Sequence, residues 1–306
     1  MESGQSGFVH RVREEEDGKM VRQVLKNRFR FSRRMFRRIR QGEGVMVNGE
    51  PVYLTSRVRA GDEVQVPVPT DEGEGIEPQP IPIDVVHEDD DLIILDKPPG
   101  IVVHPTRGYK DGTLANALAH FWRERGEFHL VRPVTRLDKN TSGLIVFAKH
   151  AHAHGFLSKE MDRRRYKREY LALVQGRMEQ RSGMMDGPIG RSKEFPARRR
   201  VTAEGVHAVT HFHVLRTFPE ASLLRLSLET GRTHQIRVHL SHEGHPIIGD
   251  DLYGGKGGVV DLDRQALHAT SLTLVHPRDG REYHFESPLP PDMAGLLHDL
   301  EGRLED

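Results

Sequence analysis

Five prolines, Pro67, Pro69, Pro78, Pro80 and Pro82, fall in one short stretch that also holds Gly73 and Gly75 among acidic neighbours. Proline lacks the N–H that a helix interior and a sheet ladder both require, so no regular element crosses this stretch. The 306-residue chain is thereby divided. Residues 1–68 are expected to form a small domain with its core near 18–68, residues 69–82 a linker, and residues 83–306 a larger domain.

Charge follows the same division. The 45 Lys+Arg balance 45 Asp+Glu, yet residues 26–40 carry eight basic residues and no acidic one: Lys26, Arg28, Arg30, Arg33, Arg34, Arg37, Arg38 and Arg40. Between residues 71 and 91 the sign reverses with Asp71, Glu72, Glu74, Glu77, Asp84, Glu88, Asp89, Asp90 and Asp91. Such a basic block is either a solvated face or a surface for phosphate.

Its pattern favours the second reading. Ser32 is placed to cap a helix that begins at Arg33, with Phe31 packing on Phe36 as a hydrophobic staple. Met35, Phe36 and Ile39 make a narrow apolar stripe, leaving Arg34, Arg37, Arg38 and Arg40 outward. A turn at residues 41–44 leads to Val45, Met46 and Val47, then Asn48-Gly49, a strong hairpin signal. Gly61-Asp62 precedes Val64, Val66 and Val68, which alternate as a strand does. The arrangement SRRMFRRIRQGEGVMVNGEPVYLTSRVRAGDEVQV resembles the S4 RNA-binding domain over residues 18–68, a helix pair on a short sheet. The resemblance makes Arg33, Arg34, Arg37 and Arg38 RNA contacts.

From Ile83 onward, short strands alternate with Gly and Pro punctuation and a few helices, which predicts an α+β domain. Leu92 to Asp96 reads as a buried strand, residues 97–100 as a tight turn, and Ile101-Val102-Val103 as the return strand. Thr113 caps a helix through Leu114, Ala117, Leu118 and Phe121. Further strands are expected at 144–148, 170–174, 208–215, 223–228 and 271–274.

Two segments carry chemistry. VTRLDKNTSGLIVFAK, residues 134–149, sets turn-forming residues between apolar stretches and by itself reads as a connecting loop. LETGRTHQIRVHLSHEGHPIIGDDLYG, residues 228–254, holds Arg232, His234, Gln235, Arg237, His239, His242 and His245, more planar polar groups than a surface helix requires. Together with VVHEDDDLIILDKPPGIVVHP, YKREYLALVQG and DGPIGR, in this order, they resemble the RluA-type RNA pseudouridine synthases across residues 85–290. That resemblance implies a catalytic domain with a mainly antiparallel mixed sheet and flanking helices. It implies isomerisation of uridine in structured RNA, ribosomal RNA favoured and transfer RNA as the alternative. The family's usual His before Arg-Leu-Asp is Thr135 in this chain, so no imidazole role transfers to that position.

Pseudouridylation breaks the N1–C1′ bond, turns the base and rejoins it through C5, with no redox change and no atoms gained or lost. Neither cofactor nor metal is needed for that balance. By resemblance Asp138 is the catalytic carboxylate, attacking ribose or base, or removing a ribose proton to give a glycal. Arg237 is then its cation, a planar fork suited to a bidentate grip that keeps the carboxylate charged away from water. Tyr170 matches the pocket tyrosine, stacking on the flipped uracil near its C5 proton. Arg136 is the candidate to fill the stack that the extruded base vacates. The basic runs 163–165, 167–168 and 198–200 are either backbone contacts or solvated surface.

Two rival readings use the same residues. His234, His239, His242 and His245 suggest a metallohydrolase, although HExxH is absent. A degenerate synthase domain would leave a non-catalytic RNA-binding protein. With no cysteine there is no disulfide scaffold or thiolate metal site. The first residues lack a signal peptide's apolar core, and no apolar run approaches ~18 residues. A soluble, cytoplasmic monomer with no membrane partner is expected.

Overall fold

A computed structural model describes residues 7–42, 44–68, 76–258 and 261–303. The acidic, glycine-bearing part of the linker, 69–75, therefore lies outside the described residues, as does Glu43 of the turn.

The N-terminal module runs β1 (Phe8–Arg11), α1 (Val21–Phe29), α2 (Arg33–Gln41), β2 (Val45–Val47), β3 (Glu50–Val52) and β4 (Glu63–Val66), with sheet order β1-β4-β2-β3. The Ser32 hydroxyl accepts from the Met35 N–H at 3.1 Å, and the Phe31 and Phe36 rings lie 5.9 Å apart, the expected cap and staple. Met35 and Ile39 are buried while Arg33, Arg34, Arg37 and Arg40 stay exposed. Asn48 and Gly49 both adopt positive φ, 52° and 82°, so β2 and β3 join through the tight hairpin that this dipeptide favours. Strand β1 has no counterpart in the sequence reading. It pairs with β4 from Phe8↔Val66 to Arg11↔Glu63, and its Phe8 is fully buried.

The larger part continues with β5 (Asp84–Glu88), β6 (Leu92–Lys97), α3 (Leu114–Glu124), β7 (Arg132–Pro133), β8 (Ser142–Ala148), α4 (Ala151–Asp162) and β9 (Lys167–Gln175). Then follow β10 (Ser182–Asp186), β11 (Ile189–Arg191), β12 (Arg199–Val201), β13 (Val209–Thr217), β14 (Ala221–Leu228), α5 (Gln235–His242), β15 (Leu267–Val275), β16 (Glu282–Glu286) and α6 (Pro291–Gly302). Ten strands form one sheet, ordered β10-β13-β14-β9-β15-β8-β6-β5, with β16 on β15 and β7 on β8. Every pairing is antiparallel except β15 with β8, in the middle of the sheet. At that parallel pair a Cβ on Gly143, which has φ of 108°, would meet the Ala269 carbonyl oxygen at 2.2 Å, so only glycine fits. Helices α5 and α6 bury Ile236, Leu240, Met293, Leu296 and Leu300 against β9, β13 and β14. Trp122, Leu114 and Leu118 of α3 pack on β6 and β8, and Phe156 and Leu157 of α4 join the core cluster that holds Val146 and Leu272.

One predicted strand is absent. Residues 101–103 do not return along β6, whose partners are β5 and β8. Their carbonyls have other work: Val102 and Val103 accept the Leu114 and Ala115 N–H groups that open α3, and Ile101 accepts from Lys97 Nζ at 3.0 Å. The described end of the linker is docked as well, since Asn116 Nδ2 donates to the Glu77 carbonyl at 2.8 Å.

The two parts meet at a compact junction. Phe8 lies edge-on to His150 and His152, and Phe31 to His152 at 4.9 Å. Arg278 stacks over Phe8, donates to the Gly7 carbonyl and pairs with buried Asp91. Arg28 reaches the Asp279 carbonyl and Arg30 the buried Glu160, so two of the eight cations in the basic block serve the junction. Burial pushes His152 down to about 4, reinforced by His150 and opposed by Asp91. Between the ordinary histidine value of ~6.5 and about 4 the unfolded chain takes up a proton that the folded one refuses. Stability is therefore full above that window and falls as pH drops through it. Urea unfolding from pH 7 to 4.5 should show an acid loss larger in the parent than in His152→Gln, by on the order of 2 kcal/mol. Parallel curves for the two proteins would refute the assignment.

Candidate active site

The loop between β7 and β8 carries Asp138, and it is pinned from several sides. Lys97 Nζ donates to the Lys139 carbonyl at 2.9 Å, the Gly100 N–H donates to the same oxygen, and Arg264 reaches the Asn140 carbonyl at 3.2 Å. Gln265 donates to the Thr141 hydroxyl, while Leu137 packs against the cores on both sides of the loop. Lys97 is itself fully buried. Desolvation pushes it down to about 7 against the charges of Asp138 and Asp96, while three carbonyls accept its donors. Nothing in the spacing of the sequence marks Lys97 as the anchor of a loop some forty residues away.

Arg237 projects from α5 and is 6% exposed. Its bidentate face does not grip Asp138. Nε and Nη2 donate to Asp250 at 2.7 and 2.9 Å, and Asp250 is fully buried. Only Nη1 reaches Asp138 Oδ2, at 3.0 Å. The expected fork is thus spent on a second carboxylate, and Asp138 receives one N–H. Burial works against the Arg237 charge, but the hydrogen bonds and charge of Asp250, with Asp138 behind them, raise its pKa further. Asp250 also accepts the N–H groups of Leu252 and Tyr253, so it is held on every side. The sequence reading assigned no role to Asp250, because its carboxylate looks like any other turn residue in GDDLYG.

The remaining predicted residues divide. Tyr170 is buried on β9, opposite Leu226 and Ala269. Burial raises its hydroxyl above the ordinary tyrosine range, aided by Asp138 and opposed by Arg168, so it is a neutral phenol. Arg136, two residues before Asp138 in sequence, is exposed. Thr135 meets the Tyr166 hydroxyl, which gives this position a packing and hydrogen-bonding role. Arg168, grouped above with the basic runs, lies against Tyr170 and over the Tyr166 ring rather than facing solvent.

The four histidines suggested as metal ligands do not converge. His239 spends both nitrogens on Thr210 and the Gly187 carbonyl, His245 faces the Gln175 carbonyl, and His234 faces Tyr253. Among the described residues the one group with metal-ligand spacing is Asp89, Asp91 and His276. Those atoms already serve one another and their neighbours: Asp89 accepts from His276, His87 and two backbone N–H groups, and Asp91 pairs with His150 and Arg278.

Known proteins share this sequence and architecture. A family profile described as RNA pseudouridylate synthase matches residues 91–242, and one for the RluD ribosomal pseudouridine synthase N-terminal domain matches residues 8–64. The Bacillus subtilis protein described as uncharacterized RNA pseudouridine synthase YhcT is 41% identical, over 93% of this chain and 94% of that protein. Escherichia coli K12 ribosomal large subunit pseudouridine synthase D is 39% identical, over 96% and 94%. Among solved structures, human RNA pseudouridylate synthase domain containing 1 superposes with a TM-score of 0.56 at 25% identity, over 76% of this chain and 98% of that one.

Removing one member of a buried ion pair leaves the other charge uncompensated. Asp250→Asn should therefore destabilise the protein by about 3 kcal/mol, whereas Asp138→Asn, at the partly exposed end of the relay, should cost about 1 kcal/mol or less. Denaturant midpoints of the two variants measure this, and equal losses would mean that Asp250 does not carry the Arg237 charge.

Proposed function

The chain belongs to the RNA pseudouridine synthase family, and from that premise we propose that it converts uridine to pseudouridine in ribosomal RNA through Asp138. Transfer RNA is the alternative substrate. The observation that carries the reading is the asymmetry around Asp138. One oxygen is held by Arg237 at 3.0 Å, while the other faces His234 Nε2 at 3.9 Å, beyond hydrogen-bond range. The side chain stays 27% exposed, so a reactive edge faces an incoming nucleotide. The relation of Asp138 to C1′, C2′ and C6 of that nucleotide decides among attack on ribose, attack on base and glycal formation.

In each route the N1–C1′ pair leaves with the base, the base turns, and the C5–C1′ bond forms before the C5 proton departs. Tyr170 enters as a neutral phenol, so it offers a stacking face and a hydroxyl rather than a phenolate base. Arg136, exposed and next but one to Asp138 in sequence, suits the role of filling the vacated stack. The likeness of residues 18–68 to S4 domains supports a binding role for the N-terminal module, with Arg33, Arg34 and Arg37 presented outward on α2 and Arg38 half-buried. Residues 69–82 then act as a linker to a catalytic part spanning 83–306. No helix among the described residues is long and apolar enough to cross a membrane. The reading is of a cytoplasmic monomer acting on RNA.

Two measurements test it. Asp138→Asn should abolish tritium release from C5-labelled uridine in a large-subunit ribosomal RNA transcript, with RNA affinity kept within roughly tenfold, about 1.4 kcal/mol. Substantial residual turnover would remove Asp138 from the chemistry. Replacing Arg33, Arg34 and Arg37 together by Ala should weaken RNA binding and flatten its salt dependence by ~0.7 to 0.9 per lost phosphate contact. An unchanged slope would make α2 a solvated face.

A further inference from the structure

Helix α5 starts in an uncommon way. His234, its N-cap, sits at φ 58° and ψ 20°, a left-handed conformation that histidine adopts more readily than most side chains. The imidazole makes no capping hydrogen bond. Gln235 organises the approach to the helix instead, its side-chain oxygen accepting from the Thr230 hydroxyl and the Arg232 N–H. The local backbone therefore spends strain on aiming an imidazole that the helix itself does not use.

Where the ring points is well defined. Its Nδ1 lies 2.8 Å from the Tyr253 hydroxyl, and the two rings meet edge to face at 80°. That hydroxyl also accepts the backbone N–H of Arg199, at 2.8 Å, from strand β12 of the β11–β12 hairpin. With one lone pair of that oxygen occupied by Arg199, the phenol proton is available to His234 Nδ1. A neutral imidazole that accepts at Nδ1 carries its proton on Nε2. Burial of His234 favours the neutral form; Arg237 and Arg199 act with burial, and Asp138 and Asp250 against it. Nε2 faces Asp138 Oδ1 at 3.9 Å, the oxygen that Arg237 does not touch.

We propose that His234 is a positioning residue for Asp138: the Tyr253 hydroxyl, anchored by the Arg199 N–H, fixes His234 so that Nε2–H faces the free carboxylate oxygen. At 3.9 Å the contact is too long for a hydrogen bond and acts as an oriented dipole. With Arg237 on Oδ2 and His234 on the side of Oδ1, the carboxylate plane is defined from both edges before any nucleotide arrives. Tyr253 contributes to both, because its ring also lies 5.1 Å beneath the Arg237 guanidinium. The inference rests on Asp138 being the reacting group.

The test is a double-mutant cycle on single-turnover rate constants at saturating ribosomal RNA transcript, with RNA Kd measured in parallel and Asp138→Asn as the reference. His234→Ala should lower the rate constant roughly 10- to 100-fold while Kd stays within about threefold, the mark of lost orientation rather than lost binding. His234→Gln, whose amide nitrogen reaches near the Nε2 position, should recover part of that loss. Tyr253→Phe keeps the ring under Arg237 and removes only the hydroxyl. It should slow the parent roughly tenfold but slow His234→Ala by less than about twofold, because its effect passes through the imidazole. Additive penalties, or a parental rate in His234→Ala, would overturn the proposal. If His234→Ala fails to fold, the same cycle is read with His234→Asn, which tolerates the left-handed backbone but is too short to reach the Nε2 position, and a parental rate or a full Tyr253→Phe penalty in that background overturns the proposal. Turnover that survives Asp138→Asn would instead overturn the reading of the reaction, whereas a dead Asp138→Asn beside parental His234 variants removes only the positioning role.

Discussion

A buried guanidinium has to be neutralised, and the way Arg237 meets that demand organises the site. Its two-pronged face is closed by Asp250, itself without solvent contact, and only the remaining N–H is offered outward to Asp138. Had Asp138 taken the bidentate face, both of its oxygens would be occupied and the carboxylate would be a structural anion. The division of labour between two aspartates keeps the cation satisfied at all times. In the role proposed for Asp138, it would let the outer carboxylate change its bonding during a reaction without leaving a bare charge in the interior. Lys97 repeats the logic one layer away, holding the backbone of the Asp138 loop through the Lys139 carbonyl while its own charge sits in reach of Asp138 and Asp96.

Features decided within a few residues of one another were readable from the chain. Ser32 caps α2, Phe31 meets Phe36, and Asn48-Gly49 turns the hairpin, because each depends on neighbours no more than five residues apart. Thr113 opens α3 for the same reason. The error at 101–103 arose where local and distant demands compete: three β-branched residues look like a strand, but the carbonyls there are claimed by α3 and Lys97. Strand β1 escaped notice because its partner is β4, more than fifty residues away, and its four residues alternate too briefly to stand out. Asp138 and Arg237 were found by family likeness, and their contact spans 99 positions that no periodicity encodes. The partition of Arg237 between two carboxylates, and the Tyr253–His234 contact, depend on side-chain directions that a sequence pattern does not carry.

The basic block also divides by geometry rather than by composition. Arg28 and Arg30 turn toward the Asp279 carbonyl and Glu160 and help seat the N-terminal module, while Arg33, Arg34 and Arg37 remain outward. The short connection between α1 and α2, residues 30–32, thus separates cations that hold the molecule together from cations turned outward. A net charge of zero conceals this, since the partners of the first group, the Asp279 carbonyl and the Glu160 carboxylate, lie far off in sequence.

The parallel contact between β8 and β15 has a consequence for synthesis on the ribosome. Ser142 is matched with His268, and their side chains bond across 126 positions of sequence. Strand β8 directly follows the Asp138 loop, so that loop lacks its inner neighbour until residues beyond His268 have emerged. Loop-closure entropy over such a separation makes this a late pairing, and vectorial synthesis makes it later still. The N-terminal module, whose strand pairs all lie within residues 8–66, is free to fold long before that. A nascent chain would therefore acquire its proposed RNA-binding face while the surroundings of Asp138, its proposed catalytic carboxylate, are still unformed. With those roles, an enzyme of this topology would be able to engage RNA during its own translation before it could modify it.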